Sequence, residues 1–290
     1  MGPVYTRAFK VRYTEMDAYG HVNNAAYLRY MQEAAFEASS ASGLPLARWA
    51  ELGRAWFIRD TEIEYLRPLT YPETFTLDTW LSARGQAWVR REYDFKRDGE
   101  TFARAYSIWA LVDLKTGGPA VADAVALAPL GGIDAIPLGP RPRFAEPPPP
   151  PAQPFTMTRR VDFRDMDAAR HVNNASYISY IGECAWEVTA HFGWPGERMH
   201  AAGFAVFARR HRISYIQPAY HGDVLAVTTY GFDLKRVMAT RHFRIERVNG
   251  DERALIARAN SLYVWVDLAT GQPIRAPGDY MEALGPNLAA

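Results

Sequence analysis

The sequence has one cysteine, Cys184, in 290 residues. A lone cysteine excludes an internal disulfide and a thiolate-based metal centre, and it suits a reducing compartment. Cys184 lies on the apolar side of a predicted helix, which favours a small core residue over a nucleophile. The first residues, MGPVYTRAFKVRYTEMD, contain no apolar segment of signal-peptide length. We therefore expect a soluble protein of the cytoplasm.

Neither sign of charge is in excess, because 33 Lys and Arg residues face 32 Asp and Glu residues, for a formal net charge of +1. This balance gives no electrostatic reason to expect nucleic acid or an anionic membrane as a partner. No stretch of 18 apolar residues occurs, so no membrane span is predicted. The seven histidines include no helical pair with acidic neighbours at metal-ligand spacing. We expect neither a metal nor an organic cofactor.

The most informative feature is a repeat. Residues 16–30 read MDAYGHVNNAAYLRY and residues 166–180 read MDAARHVNNASYISY, with ten identical positions. Core packing alone would preserve apolar character and period, whereas this match also preserves an aspartate, a histidine and two asparagines. The pattern indicates that chemistry, or a special backbone geometry, is present twice.

The duplication continues through most of both halves. Gly43-Leu44-Pro45 corresponds to Gly193-Trp194-Pro195, and Asp113-Leu114 corresponds to Asp267-Leu268. The offset grows from 150 to 154 residues, which predicts a small insertion near the hairpin at Asn249-Gly250. A period this long indicates two whole domains, which we place at 1–130 and 155–290. The proline-rich segment 131–154 between them is predicted to be a semi-rigid linker.

Within each copy the apolar period changes from two to three or four. In the first copy residues 6–14 alternate as a strand, and the helical period begins near Asn24, with Asn23 or Asn24 as the N-cap. Gly43 and Pro45 end the helix. Strand-like runs follow near 55–67, 73–83, 86–97 and 101–113. The sequence thus predicts an α+β fold of two tandem domains, each a long helix on an antiparallel sheet of about five strands.

The motif residues carry a resemblance to a known family. Asp-x-x-x-His-Val-Asn-Asn followed by Tyr-x-x-Tyr, and later Tyr215-Ile216-Gln217-Pro218 before Gly222-Asp223, resembles the hotdog-fold thioesterases. The likeness is to the 4-hydroxybenzoyl-CoA thioesterase-like branch, which includes acyl-ACP thioesterases, and it covers roughly 5–120 and 155–275. It implies two tandem hotdog domains paired about a pseudo-twofold axis, which form a pseudo-dimer within one chain. Whether such chains assemble into a further homo-oligomer stays open. It also implies an acyl-CoA or acyl-carrier-protein substrate.

The residues are compatible with thioester hydrolysis. The aspartates Asp17 and Asp167 are candidates for the nucleophile or the general base. A helix N-terminus presents unpaired amides to an oxygen that becomes anionic. A thiol of pKa about 8.5 leaves with little acid assistance. The candidate amides belong to Val22, Asn23 and Asn24 and to Val172, Asn173 and Asn174.

Each candidate has a second interpretation. The aspartates can brace their own loops, and the asparagines are favoured as helix caps. His21 and His171 assist catalysis, as the resemblance to plant acyl-ACP thioesterases implies, or bond to backbone. Those plant enzymes place an asparagine two residues after the aspartate, where this chain has Tyr19 and Ala169.

The two copies differ beside the aspartate. The first copy has Tyr19-Gly20, whereas the second has Ala169-Arg170, and Arg170 supplies a cation for a phosphate of the carrier. We therefore expect the second site to carry more of the turnover. Three alternatives to an acyl thioesterase of general type stay open: a hotdog hydratase or dehydratase, a non-catalytic acyl-binding protein, and an enzyme dedicated to one polyketide or aromatic acyl group.

Overall fold

The computed structural model describes residues 2–127 and 136–289. The chain divides into two compact units, Met1–Arg143 and Phe144–Ala290. The predicted domain end at residue 130 and the linker residues 131–135 lie outside the described residues, so the predicted domain limits stay a prediction. Across the described part of the chain, no helix is long and apolar enough to cross a membrane.

The first unit is a five-stranded antiparallel sheet with one long helix. Its strand order is β1-β3-β4-β5-β2. A 3₁₀ turn, Tyr13–Glu15, precedes the long helix α1. The elements are β1 Tyr5–Lys10, α1 Asn24–Ala41, α2 Leu46–Glu51, β2 Arg54–Tyr65, β3 Thr74–Arg84, β4 Trp88–Arg97, β5 Glu100–Asp113 and α3 Ala124–Leu127.

The second unit repeats this arrangement with strand order β7-β10-β9-β8-β6. Its elements are β6 Phe155–Arg160, a 3₁₀ turn Phe163–Asp165, α4 Asn174–His191, α5 Gly196–Ala201, β7 Phe204–Tyr215, β8 Val224–Phe232, β9 Met238–Asn249, β10 Glu252–Asp267, α6 Gly278–Leu284 and a 3₁₀ turn Gly285–Asn287. The predicted α+β class, with one long helix and five antiparallel strands per unit, is confirmed. The predicted insertion is confirmed too, because β9 and β10 are each two residues longer than β4 and β5.

Both long helices begin and end where the sequence predicts. The Oδ1 atom of Asn23 accepts a hydrogen bond from the Ala25 amide at 2.9 Å, and Asn173 caps α4 in the same way at 2.9 Å. Beyond the helix ends, Gly43 has a φ of 86° and Gly193 a φ of 83°. These left-handed conformations favour glycine and stop each helix.

The core of each unit lies between the long helix and the sheet. In the first unit the Tyr27 ring on α1 packs 5.5 Å from Phe95, which lies 6.0 Å from Phe75. In the second unit Cys184 on α4 is fully buried, and its thiol donates to the Val227 carbonyl at 3.4 Å. Burial raises the pKa of Cys184 to about 12, so the thiol stays protonated. The prediction of a core cysteine is confirmed.

The described part of the proline-rich segment, from residue 136 onward, makes hydrogen bonds to both units. On the first unit the Arg141 Nε atom donates to the buried Asp60 carboxylate at 3.1 Å. From Phe144 onward the segment follows the sheet of the second unit. The Asn260 side chain donates to the Ala145 carbonyl at 2.7 Å, and the Tyr230 hydroxyl donates to the Pro148 carbonyl at 2.6 Å. Its described part is therefore held by hydrogen bonds along its course.

A buried histidine makes the second unit sensitive to acid. His211 is 2% exposed, and its Nδ1 atom lies 2.7 Å from the Ser261 hydroxyl. Burial lowers the pKa of His211 to about 4. The first unit has the non-titrating Thr61 at the matching position.

We expect the free energy of unfolding to fall by about 2 kcal/mol between pH 7 and pH 5 because of His211. The folded-state pKa lies below the unfolded value of about 6.5, so protons bind preferentially to the unfolded chain in this window. His211→Thr, the residue of the first unit, should remove this part of the pH slope even if it lowers stability at every pH. Urea unfolding of both proteins at the two pH values measures it. An equal fall in the free energy of unfolding of the two proteins between pH 7 and pH 5 would contradict the assignment of this pH dependence to His211.

Candidate active site

The first motif loop is closed by its own aspartate. The Oδ1 atom of Asp17 accepts hydrogen bonds from the amides of Tyr19, at 2.9 Å, and His21, at 3.2 Å. The Asp17 amide donates to the His21 carbonyl at 2.7 Å. Asp17 therefore braces a tight turn, and within the described residues its Oδ2 atom accepts no hydrogen bond. One carboxylate oxygen fixes the loop, and the other takes no part in bracing it.

The second loop has the same backbone and a different side-chain arrangement. The Oδ1 atom of Asp167 accepts from the Ala169 amide at 2.9 Å, and its Oδ2 atom accepts from the Asn173 side chain at 3.2 Å. The His171 Nδ1 atom donates to the Val172 carbonyl at 3.1 Å and lies 3.9 Å from Asp167 Oδ1. The longer distance is outside hydrogen-bond range, whereas the Asn173 side chain bonds to Asp167 directly.

A second acid, which the sequence analysis missed, fixes each loop to its helix. In the first unit the Glu15 carboxylate accepts from the Tyr30 hydroxyl on α1 and from the Arg12 amide. In the second unit the Asp165 carboxylate accepts from the Tyr180 hydroxyl on α4, at 2.8 Å. Burial, and then this hydrogen bond, raise the pKa of both tyrosines. The sequence did contain a signal for this contact: an acid lies two residues before each motif aspartate, and a tyrosine follows that acid after fifteen residues.

The backbone corrects the predicted oxyanion site. The Val22 amide donates to the Leu69 carbonyl at 2.8 Å, and the Asn23 amide donates to the Glu15 carbonyl at 2.8 Å. In the second unit the Val172 and Asn173 amides donate to the Ala219 and Asp165 carbonyls, each at 2.9 Å. Four of the six candidate amides are thus engaged in holding the loops.

Asn24 and Asn174 are the first residues of the two helices. Their carbonyls accept hydrogen bonds from the hydroxyls of Tyr65, at 3.3 Å, and Tyr215, at 3.2 Å, on the sheet. These bonds fix the start of each helix against the strand that precedes the Tyr-x-x-Pro turn. The predicted oxyanion site thus lies at the start of each helix, at the positive end of the helix dipole.

The loops differ most at the position of Gly20 and Arg170. Gly20 has a φ of 75°, as glycine readily adopts, and Arg170 has a φ of 63° in the same turn. A side chain in this region costs about 1 kcal/mol or more. Arg170 is exposed, and among the described residues it has no ion-pair partner. An arginine kept in a strained conformation beside Asp167 is available to an anion.

On the surface of α1, Glu33 is exposed and pairs with Arg7 at 3.2 Å. Within residues 2–127 and 136–289, no group of three or more His, Cys, Asp or Glu side chains is placed to hold a metal ion.

Comparison with known proteins identifies the class. The chain belongs to the thioesterase-like superfamily, whose profile matches residues 11–154 and 161–284. This confirms the resemblance drawn from the motif.

Among curated proteins, the chain is similar to a chloroplastic acyl-[acyl-carrier-protein] hydrolase of Cuphea viscosissima, at 23% identity over 213 residues. It is also similar to the chloroplastic dodecanoyl-[acyl-carrier-protein] hydrolase of Umbellularia californica, at 24% identity over 213 residues. Both alignments cover 63% of this chain, and they cover 47% and 51% of the respective proteins. The chain thus spans about half the length of the curated relatives it matches.

Among solved structures, an acyl-ACP thioesterase from Bacteroides thetaiotaomicron has a TM-score of 0.68 at 21% identity, covering 90% of this chain and 97% of that chain. A Lactobacillus plantarum protein assigned as an oleoyl thioesterase has a TM-score of 0.76 at 20% identity, covering 91% and 96%. At these identities the likeness establishes the tandem fold and nothing more.

Proposed function

We propose that this protein hydrolyses an acyl thioester, carried on CoA or on an acyl carrier protein, to a free acid and a thiol. The observation that carries the proposal is the duplicated aspartate loop, which holds a carboxylate beside a helix N-terminus in both units. Membership of the thioesterase-like superfamily supports the reaction. The names of the curated relatives, which are acyl-carrier-protein hydrolases, support the substrate class.

As a general base, the aspartate takes a proton from water while the water oxygen attacks the thioester carbon. The carbonyl oxygen becomes anionic, and the positive end of the helix dipole stabilises it. The C–S bond then breaks, the thiolate leaves and the acid remains. As a nucleophile, the aspartate instead forms a mixed anhydride with loss of the thiolate, and water hydrolyses the anhydride. Both routes use the carboxylate oxygen that does not brace the loop.

The loop contacts assign roles to the remaining motif residues. Asn23 and Asn173 cap the helices, and Asn173 also orients Asp167 through its side-chain amide. The Nδ1 atom of His171 donates to the Val172 carbonyl, so this ring nitrogen is engaged with the backbone. A non-catalytic acyl-binding protein has no need of a carboxylate at the helix start, whereas both units retain one.

The first test removes both carboxylates. Asp17→Asn together with Asp167→Asn should lower kcat/KM for an acyl thioester on the order of 100-fold or more, because asparagine neither attacks nor accepts a proton. Thiol release from a panel of acyl-CoA and acyl-carrier-protein substrates of graded length measures it. Glu33→Gln together with Glu183→Gln is the matched control, since it removes two exposed charges from the same helices. Near-wild-type turnover by the double aspartate variant would exclude the proposed mechanism.

The second test compares the two units. Asp167→Asn alone should cost more activity than Asp17→Asn alone, because Asn173 orients Asp167 and Arg170 lies in the same loop. Arg170→Gly, which introduces the residue of the first unit, should relieve backbone strain and raise KM more than it lowers kcat. Steady-state kinetics of the three variants separate the possibilities. Equal halving of kcat by the two aspartate variants would indicate equivalent sites, and the reverse order would place the main site in the first unit.

A further inference from the structure

The two 3₁₀ turns before the motif loops each expose an aromatic side chain. Tyr13 is 76% exposed and Phe163 is 80% exposed, and no other large apolar side chain among the described residues reaches these values. Singly exposed apolar side chains are common and need no explanation. These two occupy corresponding positions, 150 residues apart, four residues before Asp17 and Asp167. Both units thus present an exposed aromatic side chain at the same point of the repeat.

Each exposed ring is held by an edge contact that leaves ring surface open. Tyr13 meets Tyr71 at 5.8 Å between centroids with an interplanar angle of 85°, and Phe163 meets His221 at 5.9 Å and 84°. Tyr71 and His221 come from the loop that follows the second strand of their unit. The turn is itself fixed, since Glu15 and Asp165, its last residues, bond to the long helices. The rings therefore project from rigid backbone.

Exposed cations flank both rings. Lys10 and Arg12 lie near Tyr13 in sequence, and neither has an ion-pair partner among the described residues. In the second unit the guanidinium group of Arg160 lies close to Gly222, the residue after His221. Its Nη2 atom is 3.9 Å from the position that a Cβ atom on Gly222 would occupy. Arg164, next to Phe163, is 81% exposed and pairs with Asp162 at 3.6 Å. Each turn thus has two solvent-exposed positive groups within three residues of its exposed ring in sequence.

We propose that each of these two turns binds the nucleotide end of coenzyme A, with the adenine stacked on Tyr13 or Phe163 and the phosphates near the flanking cations. An open aromatic face suits any planar base, and guanidinium and ammonium groups suit phosphate oxygens. Four residues of chain reach at most about 14 Å, so a flexible pantetheine arm can connect the ring to the aspartate loop. The inference rests on the proposed thioesterase function and selects CoA over a carrier protein as its substrate.

Direct binding tests the two turns without any turnover. Adenosine 3′,5′-bisphosphate, titrated by calorimetry into the full chain, should bind at two sites. Tyr13→Ala or Phe163→Ala alone should leave one site, and the double variant should lose affinity about tenfold or more at both. Tyr13→Trp together with Phe163→Trp is the matched control, because it keeps an aromatic face and should keep binding. Undiminished binding by the double alanine variant, or no binding by the wild type, would overturn the proposal.

Kinetics separate this proposal from the proposed function. The ratio of kcat/KM for an acyl-CoA to that for the matching acyl-pantetheine, which has no nucleotide, should fall about tenfold in the double alanine variant and persist in the double tryptophan variant. An unchanged ratio with active enzyme would reject the stacking site and leave the thioesterase standing. Hydrolysis of neither substrate by the wild type would reject the thioesterase function itself. A loss confined to acyl-carrier-protein substrates would assign the turns to a carrier protein.

Discussion

The hydrogen bond from a helix tyrosine to the acid of the 3₁₀ turn is the contact on which each motif loop depends. Tyr30 reaches Glu15, and Tyr180 reaches Asp165, from the second turn of the long helices. The same acids, through their carbonyl oxygens, accept from the amides of the N-cap residues. Turn, loop and helix start are thereby fixed together, and the aspartate between them has little freedom to move. Preorganisation of this kind is what a carboxylate needs in order to act repeatedly on a bound thioester.

Duplication gives two such loops, and the structure shows how far they have diverged. Both loops have the same backbone conformation, including a left-handed residue at position 20 or 170. They also share the backbone hydrogen bonds in which four motif N–H groups donate. The side chains differ around the carboxylate. Asp17 is braced by two backbone amides, whereas Asp167 accepts from one amide and from the Asn173 side chain. One fold therefore presents the same functional group in two different settings.

The apolar periodicity of the sequence and its helix-capping residues made much of this fold predictable. The change of apolar period at Asn24, the cap at Asn23 and the glycine at position 43 defined α1, and the structure has it at Asn24–Ala41. The later strand predictions, such as 86–97, agree with β4 at Trp88–Arg97. These features depend on neighbours in sequence, so the sequence is sufficient for them.

The details of the site depend on distant neighbours, which a single sequence does not reveal. The Val22 amide is engaged because the Leu69 carbonyl, from the loop after β2, faces it. Nothing in the motif indicates that partner, so the oxyanion prediction was too broad. Glu15 was missed because its partner, Tyr30, also fits the apolar stripe of the helix. The proline-rich segment likewise contacts residues far away in sequence, such as Asn260 with Ala145.

In the proposed mechanism a carboxylate acts without an acid to protonate the leaving group. This suffices for a thiolate of pKa about 8.5 and fails for an alkoxide. The most direct measurement compares hydrolysis of an acyl-CoA with hydrolysis of an alkyl oxygen ester of the same acid by the wild-type protein. Thioester hydrolysis is predicted to be faster by about 100-fold or more, the usual contribution of a missing general acid. Comparable rates for the two esters, or hydrolysis of the oxygen ester alone, would contradict the account.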